Sequence, residues 1–288
     1  MNSLLEQMLK RYPNTTLLDK RNSRKEIMQE IVLCGLSRAG FFNHVAFYGG
    51  TALRIFYNLD RFSEDLDFSL RSKDINFDLQ QFFPALLKEA YSFGVNVSIR
   101  EKEKSADSFI KSAFLKGNTK EHLLYFYGED KIFSNIMDNE NIKIKLELDV
   151  NPPEFATFEQ KYQLLPVPYA ITLYDEPSLF AGKLHAVICR KWGNRIKGRD
   201  LYDYIFYLAR GTAANKKHLL ARLAESGVVE ANKDYPENTI KELLCTRFEN
   251  IDFEQAKADV LPFIRDPAQL NLWSKDFFQQ ITKNLRIY

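Results

Sequence analysis

Residues 49–70, GGTALRIFYNLDRFSEDLDFSL, decide the fold. The run before them, HVAFY (44–48), is apolar and aromatic and ends in two glycines, which predicts a buried strand. TALRIFYNL predicts a short helix. DLDFSL alternates polar and apolar residues, so it predicts a strand with Asp65, Asp67 and Ser69 on one face. A strand, a glycine turn, a helix and an acidic strand follow each other within 27 residues (44–70).

The same alternation recurs downstream. NIKIKLELDVN (141–151) is the clearest strand in the chain, with Ile144, Leu146, Leu148 and Val150 on one face and Lys143, Lys145, Glu147 and Asp149 on the other. VNVSIREKEK and HLLYFYG predict two further strands, and residues 74–93 a helix that carries Pro84 near its middle. NPPEF punctuates the chain and sets a boundary near 152–168. From Glu176 onward the pattern is helical, over EPSLFAGKLHAVICRKW, GRDLYDYIFYLAR and the segments 214–226, 237–248, 253–265 and 270–286. Residues 1–40 read as a helical segment broken at Pro13-Asn14. The expected organisation is therefore a helical segment (1–40), an α+β domain (41–165) and a helical C-terminal domain (166–288).

Each chemical signal has an alternative. The Gly49-Gly50 turn suits a phosphate, because glycine lets backbone approach an anion and a helix N-terminus offers unpaired N–H groups; a strand-to-helix turn also uses glycine for steric reasons alone. Asp65 and Asp67 lie two residues apart, so their carboxylates stand side by side and repel unless a cation separates them. Magnesium takes such oxygen ligands and bridges them to substrate phosphates; two exposed aspartates on an edge strand are the alternative. Asp149 is the first candidate for a third carboxylate and Glu147 the second, and such a triad supports nucleotidyl transfer. A solvated strand face explains them equally. Arg54 and Arg61, about two helical turns apart, suit phosphate contact or pairing with Glu64 or Asp65.

Between Glu176 and Asp200 there is no acid but six bases: Lys183, Arg190, Lys191, Arg195, Lys197 and Arg199. This stretch reads either as a polyanion contact or as a solvated helix face. Asp200 and Asp203 sit three apart on the next helix, where both can face one site. His44 and His185 read as packing or surface residues. No Ser/His/Asp grouping or zinc spacing emerges, and the glycine turn lacks the Walker lysine.

The whole-chain balance excludes the broadest alternatives. Forty Lys and Arg oppose 38 Asp and Glu, a net charge of +2 over 288 residues, so the chain is neither a histone-like polycation nor an acidic disordered protein. Cys34, Cys189 and Cys245 are isolated, so a disulfide framework is not expected and a cytoplasmic setting is. The longest uncharged run, Ala39 to Leu53, is 15 residues, shorter than a membrane span.

The string GGTALRIFYNLDRFSEDLDFSL, with IKLELDVNPP, LFAGKLHAVICR and KGRDLYDY after it, resembles the AbiEii/MenT-type nucleotidyltransferase toxins of the DNA polymerase beta-like superfamily. The resemblance covers roughly residues 40–210. It implies a mixed-sheet nucleotidyltransferase lobe followed by a helical lobe. By motif match, Gly49, Gly50 and Thr51 would bind nucleotide phosphates, Asp65 and Asp67 magnesium (or manganese), and Lys183 the triphosphate. Asp200 would be the acid of the last motif, with Asp203 beside it. The implied activity is Mg-dependent transfer of NMP from NTP to RNA, first of all the 3′ acceptor end of tRNA. The setting would be a toxin–antitoxin or phage-defence (abortive infection) pair with a cognate antitoxin. The alternatives are transfer to a small molecule or a protein, and a non-catalytic nucleotide-binding module.

Overall fold

The computed structural model describes residues 3–12, 15–101, 119–127, 142–190 and 196–288. The Pro13-Asn14 break, the tail of VNVSIREKEK, Lys191 and Arg195 lie outside them. The chain forms two compact units. One comprises Met1–Ala52, Glu64–Pro152 and Gln160–Leu173; the other comprises Leu53–Ser63, Pro153–Glu159 and Tyr174–Tyr288. Neither unit is a single consecutive segment.

The first unit is built on a mixed sheet. Its strands are β1 (Val45–Tyr48), β2 (Leu66–Leu70), β3 (Asn96–Glu101), β4 (Thr119–Tyr127), β5 (Ile142–Asp149), β6 (Phe158–Gln163) and β7 (Tyr169–Tyr174). They lie in the order β3-β4-β5-β2-β1-β7-β6. β2 runs antiparallel to β1 and parallel to β5, and β4 runs antiparallel to both β3 and β5. Leu124, Phe126, Ile144, Leu146, Leu148 and Phe68 are fully buried on one side of the sheet. Alternation along the strands therefore leaves Asp67, Glu121, Lys143, Lys145, Glu147 and Asp149 on the other side.

Helices α1 (Ser3–Leu9), α2 (Leu17–Arg38) and α4 (Phe83–Ser92) accompany the sheet. α2 starts at a capping box, in which the Thr16 hydroxyl accepts from the Asp19 amide while Asp19 accepts from the Thr16 amide. α2 meets α4 at Gly35, where a Cβ would come within 2.8 Å of Leu86. The helix expected over 74–93 is confined to Phe83–Ser92 behind a short 3-10 turn at Gln80–Phe82. The reason is Pro84, which sits in the first turn, where its missing N–H breaks no hydrogen bond.

β6 occupies the stretch that the sequence marked only as a boundary, and β7 follows it directly. β6, FEQKYQ, is a polar strand at the sheet edge and lacks the apolar alternation that reveals an inner strand.

The second unit is helical around an aromatic core. Its helices are α5 (Glu176–Cys189), α6 (Gly198–Ala209), α7 (Lys216–Glu225), α8 (Glu237–Glu249), α9 (Phe253–Val260) and α10 (Lys275–Thr282). Phe180 stacks on Tyr207 at 4.5 Å, and Phe248 meets Phe278 at 5.2 Å. α6 approaches α9 so closely that a Cβ at Gly198 would overlap the Ala256 carbonyl oxygen. A two-residue strand pair, β8 (Ala213–Ala214) with β9 (Arg286–Ile287), interrupts the otherwise helical pattern. Helix α3 (Gly49–Tyr57) starts in the first unit, and its residues from Leu53 belong to the second. Among the described residues, no helix is long and apolar enough to cross a membrane.

Candidate active site

In the first unit the site begins where β1 turns into α3. Gly49 has φ +82°, a left-handed conformation that side chains rarely adopt, and a Cβ there would overlap Oδ2 of Asp67. The glycine is thus required by the carboxylate beside it. Tyr48 pairs with Asp67 across β1 and β2, so the turn and the acidic strand are held in register.

The entry to β2 is fixed from three sides. The Thr51 hydroxyl donates to the carbonyl oxygen of Asp65, and Thr51 is fully buried. The Gln29 amide nitrogen donates to the Glu64 carbonyl at 2.9 Å, and Lys25 pairs with the Glu64 carboxylate at 3.1 Å. Thr51 therefore holds the backbone of Asp65. Lys25 and Gln29 had no signal in the motif; their only trace is a polar pair one helical turn apart on α2. Asp65 and Asp67 both remain half-exposed.

The parallel pairing of β2 with β5 places Asp67 opposite Glu147 and Ser69 opposite Asp149. β4 adds Glu121 opposite Glu147. Tyr48, Asp67, Glu147 and Glu121 thus form one row across four strands. Lys145, one step back on β5, bonds Glu147 and lies 3.6 Å from Glu121. Asp149 is two residues along from Glu147, about 7 Å. Its Oδ1 accepts the Asn151 amide at 3.0 Å, closing the turn that leaves the strand.

Among the described residues, no three His, Cys, Asp or Glu side chains converge as a complete metal cage. The donor set suits magnesium nevertheless, since that ion is commonly held by one or two carboxylates with the remaining positions filled by water and phosphate oxygens.

In the second unit a different cluster forms. Arg61 donates from Nε and Nη2 to the two oxygens of Asp203, each at 2.6 Å, and both residues are buried. Lys183 on α5 reaches Asp200 at 2.7 Å and Asp203 at 2.8 Å, and Arg190 reaches the other oxygen of Asp200 at 2.6 Å. Three cations surround two carboxylates. Burial alone would raise the Asp203 carboxyl, but the charges and hydrogen bonds of Arg61 and Lys183 outweigh it and hold the group below the usual carboxylate range. Burial likewise works against the Arg61 charge, and Asp203 more than compensates.

The two arginines expected near phosphates have other partners. Arg61 is locked to Asp203, and Arg54 donates to the carbonyl oxygens of Leu59 and Asp60 at 2.8 and 2.9 Å, fastening the loop after α3. The basic stretch is also less free than its composition implies. Lys183 and Arg190 face acids, and the Arg199 guanidinium lies 4.2 Å from the Phe263 ring centre. Lys183 keeps one N–H beyond its two carboxylate contacts. His185 lies against Ser226 at 2.7 Å, and His44 against the Phe77 ring.

The family model described as the nucleotidyl transferase AbiEii toxin of a type IV toxin–antitoxin system matches residues 31–281. Among solved structures, MenT4, a nucleotidyltransferase toxin from Mycobacterium tuberculosis H37Rv, superposes with a TM-score of 0.51 at 15% identity, covering 99% of this chain and 94% of that one. JHP933 from Helicobacter pylori gives a TM-score of 0.49 at 19% identity, with 92% and 93% covered. No curated protein matches the chain by sequence.

Proposed function

Since this chain belongs to the AbiEii family of nucleotidyl transferase toxins, we propose that it transfers NMP from an NTP to RNA, with the 3′ acceptor end of tRNA as the target, in a magnesium-dependent reaction that arrests translation. The observation that supports this reading is the Gly49–Asp67 approach, which sets the Asp67 carboxylate against the first residue of α3.

The acceptor hydroxyl attacks the α-phosphorus. A new O–P bond forms, the bond to the pyrophosphate oxygen breaks, and pyrophosphate leaves with the electron pair. A divalent cation, when bound, stabilises the negative charge that gathers on the phosphate oxygens. Asp65 and Asp67 would hold that cation, and register sets Glu147 beside Asp67. Glu147 takes the hydroxyl proton. Manganese fits the same oxygen ligands. The first-turn N–H groups of α3, at Gly49 and Gly50, meet triphosphate oxygens. Thr51 keeps Asp65 in place. Within the second unit, Lys183 is held by Asp200 and Asp203 and keeps one N–H for a phosphate oxygen. Asp149, Arg54 and Arg61 act in the local structure. A cognate antitoxin completes the system, and the cytoplasm, where NTP and tRNA meet, is the compartment.

The test is to incubate the protein with α-labelled NTP, magnesium, total RNA and a protein extract, and to follow the label. Label in RNA of tRNA size is expected; label confined to protein or to a small molecule overturns the acceptor assignment.

A further inference from the structure

On the face of the sheet that carries Asp67, Glu147 and Glu121, a second kind of surface lies farther along β3, β4 and β5. Tyr125 on β4 pairs with Ser98 on β3 and with Lys143 on β5. The Arg100 guanidinium lies 5.4 Å from the Tyr125 ring centre and the Lys143 ammonium 5.5 Å from it. Tyr125 is half-buried, while Arg100 and Lys143 are exposed. Neither cation has a carboxylate partner among the described residues. That distinguishes them from Lys183 and Arg190, which are held by Asp200. The opposite side of β4 and β5 is closed, with Leu124, Phe126, Ile144 and Leu146 fully buried.

We infer that Arg100, Tyr125 and Lys143 form a platform for the single-stranded end of the acceptor RNA. This rests on the proposed transfer to RNA and adds where the strand lies. Glu121 and Tyr125 are four residues apart on β4, roughly 13 Å along the strand, so the platform is a short single-stranded span from the acidic row. Chain chemistry matches that partner. Single strands are held by cations that track the phosphates and by rings on which bases stack. An exposed cation–π contact is weaker than a stacked base, so Arg100 and Lys143 can swing to phosphates and leave the ring to the base. A duplex, with its bases already stacked inward, gains nothing from Tyr125. An acidic peptide would use the two cations but not the ring.

The test measures binding of a 5′-labelled short single-stranded RNA, and of a blunt RNA duplex of the same length, to the full chain. It compares wild type, Tyr125→Ala, Tyr125→Phe and the double variant Arg100→Gln with Lys143→Gln. Thermal melting checks that each variant is folded, and calorimetry with a magnesium NTP reports the nucleotide site. The expected result has three parts. Tyr125→Ala weakens single-strand binding by about tenfold, with Tyr125→Phe near wild type. The double variant lowers the slope of log affinity against log salt by about 1.4, two single-strand phosphate contacts. NTP binding is unchanged in all. Wild type that binds single strands but is insensitive to these substitutions overturns the platform and leaves transfer to RNA standing. A preference for the duplex, or equal loss in Tyr125→Phe, also overturns it. Wild type that binds neither RNA overturns the RNA reading itself.

Discussion

Asp67 and Glu147 stand directly opposite each other in the parallel pairing of β2 with β5, whereas Asp149 stands opposite Ser69. The two acids of β5 should therefore contribute unequally. Glu147→Gln is expected to lower transfer by about 10²- to 10³-fold, the usual effect of removing one preorganised electrostatic partner. Asp149→Asn should stay within about tenfold, because Asp149 stands opposite Ser69 rather than Asp67 and an Asn oxygen can still accept the Asn151 amide. Rates of label incorporation from an α-labelled NTP decide the matter, and a larger loss in Asp149→Asn reverses the assignment.

Gly49→Ala combines two penalties. The left-handed backbone costs roughly 1–2 kcal/mol with a side chain, and the new Cβ displaces the Asp67 carboxylate. A displacement near 1 Å can cost about 10²-fold in rate. The variant should melt only a few degrees lower yet transfer at about one hundredth of the wild-type rate. Wild-type rates would show that the approach of Gly49 to Asp67 has no part in catalysis.

Removing Arg61 leaves Asp203 without its bidentate partner in a buried place. Breaking a buried pair from one side typically costs about 3–5 kcal/mol, so Arg61→Ala should shift the urea midpoint strongly. Arg61→Met combined with Asp203→Leu should return part of that loss, because no unpaired charge remains. A midpoint unchanged in Arg61→Ala would contradict the structural role given to this pair.

Acid should destabilise the fold. Burial, then the positive charges nearby, lowers His185 to about 3 and His218 to about 4, and burial also lowers His122, whose ring nitrogens have no hydrogen-bond partner among the described residues. A base whose folded value lies below its unfolded value near 6.5 resists protonation only in the native state. Its contribution is therefore intact above pH 6.5 and falls away as pH drops towards 4, by roughly 2 kcal/mol each for His185 and His218 at pH 5. Glu30 works the other way. Burial raises it to about 7 despite Arg11, so it favours the fold as pH falls from 7 to 4.5. Its gain offsets about one histidine. Urea midpoints should drop between pH 7 and pH 5, and less so in His218→Gln; a rise would refute the balance drawn here.

The sequence was legible where a pattern is local. β1, α3, β2 and β5 each announce themselves by alternation or by the glycine turn, and the carboxylate pair Asp65–Asp67 needs only a two-residue period. What depends on pairing was not legible. Which acid of β5 faces Asp67 is a matter of strand register, set between segments about 80 residues apart. Arg61 meets Asp203 across 142 residues, so its motif position gave no hint that Asp203 holds it. The ion pairs of the basic stretch were hidden for a related reason: α6, immediately after it, supplies Asp200 and Asp203 to Lys183 and Asp200 to Arg190. Pro84 was misplaced because a helix start and a helix interior share composition. β6 escaped notice because an edge strand has no apolar alternation to betray it.

The central claim is that Asp65 and Asp67 support nucleotide addition to an RNA 3′ hydroxyl. The most direct measurement incubates purified tRNA, intact or periodate-oxidised at its 3′ end, with α-labelled NTP and magnesium, using wild type and Asp67→Asn. The account predicts label on intact tRNA with wild type alone, and none on oxidised tRNA or with Asp67→Asn. Equal labelling of oxidised tRNA, or undiminished labelling by Asp67→Asn, would contradict it.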